Sequence, residues 1–84
     1  MRSYEVFISQ LALDTAARSG AARRRVMKFI ESLSENPYCK GDFSESDRSG
    51  RTVQVKIIDR FAIAYWPDHA VAEVKVTHIK PADR

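Results

Sequence analysis

Seven side chains in the second half of the chain are of kinds that handle phosphate and protons: Lys56, Lys75 and His78, with Arg51, Arg60, Trp66 and Lys80 beside them. An imidazole takes up and gives back protons near neutral pH, which makes His78 the candidate acid or base. Grouped cations neutralise phosphate charge and a flat indole accepts a stacked base. Lys56 and Lys75, rimmed by Arg51, Arg60 and Lys80 and flanked by Trp66, therefore form an RNA-compatible set. The second histidine, His69, sits in a Pro-Asp-His-Ala turn and reads as a surface residue. Two histidines without a nearby cysteine or carboxylate cluster make no zinc site, and neither metal nor cofactor is expected.

These residues need a sheet to hold them, and residues 51–80 supply one. Apolar residues alternate at Val53, Val55 and Ile57, at Phe61, Ile63 and Tyr65, and at Ala72, Val74 and Val76, predicting three successive strands. Asp59-Arg60 and Pro67-Asp68-His69 mark the bends. A three-residue loop, Ile58-Asp59-Arg60, would pair Ile57 with Phe61, Val55 with Ile63 and Val53 with Tyr65, gathering six large apolar side chains on one face. A two-residue loop would put those sets on opposite faces, because a one-residue slip exchanges the faces of a strand. Apolar grouping selects the three-residue loop. Gln54, Lys56, Ala62, Ala64, Trp66, Glu73, Lys75 and Thr77 then form a polar, basic and uncovered face.

Upstream, residues 4–9 (Tyr-Glu-Val-Phe-Ile-Ser) predict a first strand, and Ser9 can cap a helix over residues 10–19 that ends at Gly20. Leu13, Ala16 and Ala17 would lie on one side of it, small enough for close packing. Residues 21–34 carry Val26, Phe29, Ile30 and Leu33 as one helical stripe, stopped by Asn36-Pro37. Arg23-Arg24-Arg25 fall in its first turn, where positive charge opposes the helix dipole. Residues 38–50 read as loop with a short edge strand at Phe43, and residues 80–84 as a loose tail.

The 84 residues make one domain, 1–84, with a small core; a hydrophobic content of 44% and a charged content of 30% are those of a globular chain. The net charge of +3 favours anionic partners, and both ends are basic: residues 1–37 and 51–84 each hold six Lys/Arg against four acids. A lone Cys39 fits a reducing compartment. With no signal-like or membrane-spanning apolar run, a cytoplasmic protein without a membrane partner is expected. Helices first and an antiparallel meander after predict an α+β layer with both helices on one side of the sheet.

With that order in place, the chain resembles the RelE/ParE superfamily of toxins from bacterial type II toxin–antitoxin systems. The likeness spans nearly the whole chain. It is carried most strongly by Gly50-Arg51, Val55-Lys56-Ile57, the run Asp59-Arg60-Phe61-Ala62-Ile63-Ala64-Tyr65, and Val74-Lys75-Val76-Thr77-His78. The resemblance implies an N-terminal strand and a two-helix hairpin packed on one face of an antiparallel sheet. The opposite face would be the working surface, blocked by a cognate antitoxin in a hetero-oligomer. RelE-like members cleave messenger RNA on the ribosome without a metal, whereas ParE-like members inhibit DNA gyrase. On the nuclease side, the resemblance implies that Lys56 and Lys75 stabilise the phosphorane and His78 transfers the proton. Gln54 and Ala62 stand where active RelE-like nucleases commonly carry arginine. The tail lacks a late tyrosine, and Ile58 lengthens the turn, so a gyrase inhibitor or an inactive antitoxin-binding homologue is the alternative.

Overall fold

Each predicted element forms, and the reasons are local. In a computed structural model that describes residues 3–18 and 20–82, the chain runs as follows. Strand β1 (Glu5–Ile8) leads into helix α1 (Gln10–Ala17), a 3₁₀ turn (Gly20–Ala22) and helix α2 (Arg23–Ser32). Strands β2 (Phe43–Ser46), β3 (Thr52–Ile58), β4 (Phe61–Asp68) and β5 (Glu73–Pro81) follow. Ser9 caps α1 as expected, its hydroxyl accepting from the Ala12 amide at 3.1 Å. Helix α1 ends at its Arg18 cap, and Gly20, at φ 61°, supplies a left-handed residue at the start of the 3₁₀ turn that leads the chain towards α2.

The strands make one five-stranded sheet in the order β1-β5-β4-β3-β2. The four later strands are antiparallel, and β1 returns to pair in parallel with β5, Val6 beside Val74 and Ile8 beside Val76. Both helices lie on one side. Val26, Ile30 and Leu33 from α2 and Ala12 and Ala16 from α1 are buried against Ile63, Tyr65, Val74, Val76 and Ile79. Phe29 meets the Tyr65 ring edge-on at 5.5 Å. The small residues that let α1 sit close are Ala12 and Ala16, one turn apart; Leu13, expected on that side, is exposed. Ser19 lies outside the described residues.

The β3–β4 register corrects the sequence reading. Ile58 pairs with Phe61, Lys56 with Ile63 and Gln54 with Tyr65, so the turn has two residues, Asp59 and Arg60. Asp59 adopts a left-handed φ of 54°, which aspartate tolerates and a two-residue hairpin requires, and its carboxylate is held by Arg25 at 2.7 Å. The six apolar side chains therefore do not share a face. Ile63 and Tyr65 turn to the helices, whereas Val53, Val55 and Ile57 turn away from them. On the helix side β3 presents Gln54 and Lys56, which the helices do not cover; residues 39–42 cover them instead. The Gly41 amide donates to the Gln54 side-chain oxygen at 2.9 Å, and the Tyr65 hydroxyl donates to the Cys39 carbonyl at 3.0 Å. Burial foremost, with Cys39 and Asp42 nearby, holds the Tyr65 phenol above its ordinary range, so it remains a donor.

A second irregularity lies between β4 and β5. Ala64 pairs with His78 but Tyr65 pairs with Val76, leaving Thr77 as a bulged extra residue. Ser9 secures the bulge, because its hydroxyl donates to the Thr77 carbonyl at 2.8 Å while its amide donates to Val76 at 3.0 Å. One side chain thus serves a helix start and a strand kink. Ser9→Ala is expected to lower stability by about 1–2 kcal/mol in urea unfolding, the upper part of the usual range for a lost cap. A loss near zero would mean that neither bond contributes.

Further departures are smaller. Ala72 is not a strand residue; it takes φ 55° in the turn before β5. Lys80 and Pro81, read as tail, belong to β5, and the Ala82 amide bonds the Arg60 carbonyl at 2.6 Å. Residues 83 and 84 lie outside the description. His69 is exposed, as read, yet it stacks on Tyr38 at 5.2 Å, and the Tyr38 hydroxyl lies 3.0 Å from its Nδ1 and 2.8 Å from the Tyr4 hydroxyl. That aromatic chain fastens residue 38 to the β4–β5 turn and to the start of β1.

Candidate functional site

The site residues do not all meet. Lys56, paired with Ile63, projects to the helix side at the margin of the sheet, where Asp42 approaches its Nζ at 3.8 Å. Lys75, paired with Trp66, projects to the open side. The expectation that both lysines stand on one working surface is therefore wrong. Its cause is the two-residue turn, which shifts β3 by one position against β4 and carries Lys56 and Gln54 to the other face.

Five of the seven chosen residues sit on the open face. Trp66 and Lys75 face outwards side by side, and the Arg51 guanidinium lies over the indole ring at 3.9 Å. Asp47 holds Arg51 in that pose through an ion pair at 3.1 Å and accepts from its backbone amide at 3.0 Å. Bonds from Ser49 first, then from the Arg51 and Ser49 amides, keep the Asp47 carboxyl below its usual range. The bulge brings His78 and Lys80 onto this face as well, opposite Ala64 and Ala62. Arg60 stands exposed in the β3–β4 turn, at the rim.

Charge on the open face is uneven. Lys75 Nζ lies 3.5 Å from both Asp68 and Glu73, so much of its charge is offset before any ligand arrives. Lys80 and His78 are freer: neither has an ion pair among the described residues, and His78 Nδ1 is 3.3 Å from the Thr77 hydroxyl. Together with Phe43, Glu45, Val55, Ala62, Ala64 and Pro81 they line a pocket of about 170 Å³. Alanines at 62 and 64 leave the floor shallow, and Phe43 forms one wall. The imidazole can exchange a proton there while the ammonium holds an anion against the floor.

Sequence reasoning missed the pocket for two reasons. Strict alternation through the last strand would send His78, Ile79 and Lys80 to opposite faces from those they occupy after the bulge, and a bulge has no sharp sequence mark. Phe43 was read only as an anchor for an edge strand. Among the described residues no group of three His, Cys, Asp or Glu side chains could hold a metal ion, and no helix is long and apolar enough to cross a membrane.

Two helices on one side of a five-stranded mixed sheet, with no helix on the other side, define an α+β architecture, the fold that solved RelE structures share. Solved structures match it over nearly the whole chain. The RelE–RelB complex of Pyrococcus horikoshii aligns with a TM-score of 0.78 at 16% identity, covering 98% of both chains. The RelBE2 toxin–antitoxin complex of Mycobacterium tuberculosis aligns at 0.70 and 15% identity, covering 94% of this chain and 98% of the other. The isolated RelE toxin of E. coli aligns at 0.68 and 18%, covering 98% and 87%. No family model and no curated protein sequence matches the chain. At these identities the likeness is one of fold.

Proposed function

We propose that this chain is the toxin of a type II toxin–antitoxin pair and that its open sheet face cleaves messenger RNA on the ribosome without a metal. The observation that supports this most is the placement of His78 and Lys80 in one pocket on the face the helices leave bare. In this reading the 2′-hydroxyl attacks the adjacent phosphorus and the bond to the 5′-oxygen breaks. His78 moves one proton, either from the attacking hydroxyl or to the leaving oxygen, and solvent water carries the other. Lys80 offsets the charge that develops on the phosphorane, with Lys75 more distant and partly neutralised. The Arg51 guanidinium, lying over Trp66, offers a planar cationic surface on which a flanking base can stack. Lys56 has no part in the chemistry.

The partner in the cell is a cognate antitoxin, as the complexes of the matching folds suggest. The half-exposed Phe7 and Phe43 on the open face are surfaces such a partner would cover.

A second reading, a gyrase inhibitor or a homologue that only holds its antitoxin, is favoured by one observation. Lys75 is tied to two carboxylates and Lys56 lies on the other face, so fewer cations act on the open side than in the reading from sequence. Primer extension on messages from cells expressing the chain separates the two. New ends in translated messages, absent with His78→Ala, support cleavage. No new ends, together with blocked supercoiling by purified gyrase or a co-purifying antitoxin alone, support the second reading.

A further inference from the structure

The two carboxylate oxygens of Asp47 serve different ends in the loop between β2 and β3. One, Oδ1, accepts from the Ser49 amide at 2.9 Å, the Ser49 hydroxyl at 2.7 Å and the Arg51 amide at 3.0 Å. The Asp47 amide donates to the Arg51 carbonyl at 2.8 Å and the Gly50 amide to the Asp47 carbonyl at 3.0 Å, so these bonds close the turn. The other oxygen takes no part in closing it. Oδ2 accepts from Arg51 Nη1 at 3.1 Å and so fixes the guanidinium 3.9 Å above the Trp66 ring. A residue that only shaped the turn would leave this oxygen to water.

Charge decides what this corner of the open face receives. Arg51 and Lys75, the latter 5.7 Å from the same ring, are its cations, and Asp47, Asp68 and Glu73 already engage them. Two cations against three carboxylates do not draw a phosphate. A neutral flat ring suits the place, because a guanidinium plane stacks on aromatic faces and the Arg51 side chain is still 43% exposed. Trp66 lies two residues along β4 from Ala64, roughly 7 Å by the rise of a strand, and Ala64 floors the pocket of His78 and Lys80. One extended nucleotide spans that gap. We propose that Asp47 is the positioning residue of a purine subsite: by anchoring Arg51 over Trp66 it holds ready the plane on which the base beside the cleaved bond stacks. This rests on the reading of the open face as the RNA-cleaving surface. A purine is the expected base because it has the larger flat face, and stacking strength sets the preference where no base edge is read.

Asp47→Asn separates the anchor from the turn, because an amide keeps an acceptor at Oδ1 but turns a donor towards the guanidinium. Trp66 is the only tryptophan, so acrylamide quenching of its fluorescence reads whether the guanidinium covers the ring. Quenching in Asp47→Asn is expected to rise to the level of Arg51→Ala, with no further rise when the two are combined. Unchanged quenching overturns the anchor and leaves Asp47 a turn residue. Base binding is read without cleavage, by anisotropy of labelled oligoadenylate and oligouridylate. The unaltered chain should bind oligoadenylate more tightly, and each variant should weaken that binding about tenfold, the lower part of the range for one stacked base, with less loss for oligouridylate. Oligoadenylate bound no better than oligouridylate, or an equal loss for both, overturns the purine subsite. Primer extension on messages then ties the subsite to cleavage: Asp47→Asn should lower ends beside purines more than ends beside pyrimidines. Messages left uncut by the unaltered chain, with quenching and adenylate preference as expected, remove the nuclease reading and leave the subsite. Cleavage whose purine ends persist in Asp47→Asn does the reverse.

Discussion

His78→Ala is expected to lower message cleavage by about 10²- to 10⁴-fold, the usual contribution of a positioned acid or base. The bulge at Thr77 sets the imidazole on the open face opposite Ala64, in a pocket where Lys80 is its cationic neighbour. Lys80→Ala is expected to cost about 10²- to 10³-fold, the range for losing one group that stabilises developing charge. Because the proposed cleavage has the two act on one transition state, the double variant should lose less than the product of the separate losses. Lys56→Ala provides the contrast, since its side chain lies on the helix side near Asp42 and its removal should leave cleavage nearly unchanged. Quantified primer extension at matched expression reads all four. A Lys56 variant as inactive as the His78 variant would mean that the working surface is not the one described.

The largest effect on stability is expected at a residue with no side chain. Gly41 packs so closely on β3 that a Cβ there would collide with the backbone nitrogen, carbon and oxygen of Val55. Backbone cannot move aside as the end of a flexible side chain can, so in Gly41→Ala residues 39–42 must lift away from the sheet. That movement strains the Gly41 amide bond to Gln54 and the Asp42 amide bond to the Val55 carbonyl. It also strains the bond from the Ile57 amide to the Asp42 carboxylate and leaves the Tyr65 hydroxyl without the Cys39 carbonyl. At about 1 kcal/mol net for each bond, more for those left buried and unmade, a loss of about 3–4 kcal/mol follows. For a chain of this length that is a large part of the whole stability, and urea unfolding followed by the single Trp66 would show it. A loss below about 1 kcal/mol would mean that the segment is not seated on the sheet.

What could be read from the sequence, and what could not, follows from the range of the forces involved. The caps and stripes are local, so Ser9, the Val26-Ile30-Leu33 face and the edge strand at Phe43 were legible. The fold class followed from the order of elements, and Arg51, Trp66, Lys75, His78 and Lys80 do reach one face. Apolar grouping selects the wrong register because β3 buries its valines on the side without helices, at 5% exposure for Val53 and 3% for Val55. The sign that favoured the shorter turn was Asp59, an aspartate suited to a left-handed conformation between two strands. The covering of Gln54 and Lys56 by residues 39–42, and the offset of Lys75 by Asp68 and Glu73, arise from contacts far apart in the chain, which periodicity does not carry.

Which side chains reach the open face depends on the register of β3 against β4 and of β4 against β5, and cross-strand proton contacts in a nuclear Overhauser spectrum of the folded chain measure it directly. Backbone contacts between Gln54 and Tyr65, between Lys56 and Ile63, and between Ala64 and His78 are the expected pattern. Contacts of Val55 with Ile63 and of Val53 with Tyr65 would return Lys56 to the side of Lys75 and contradict the account.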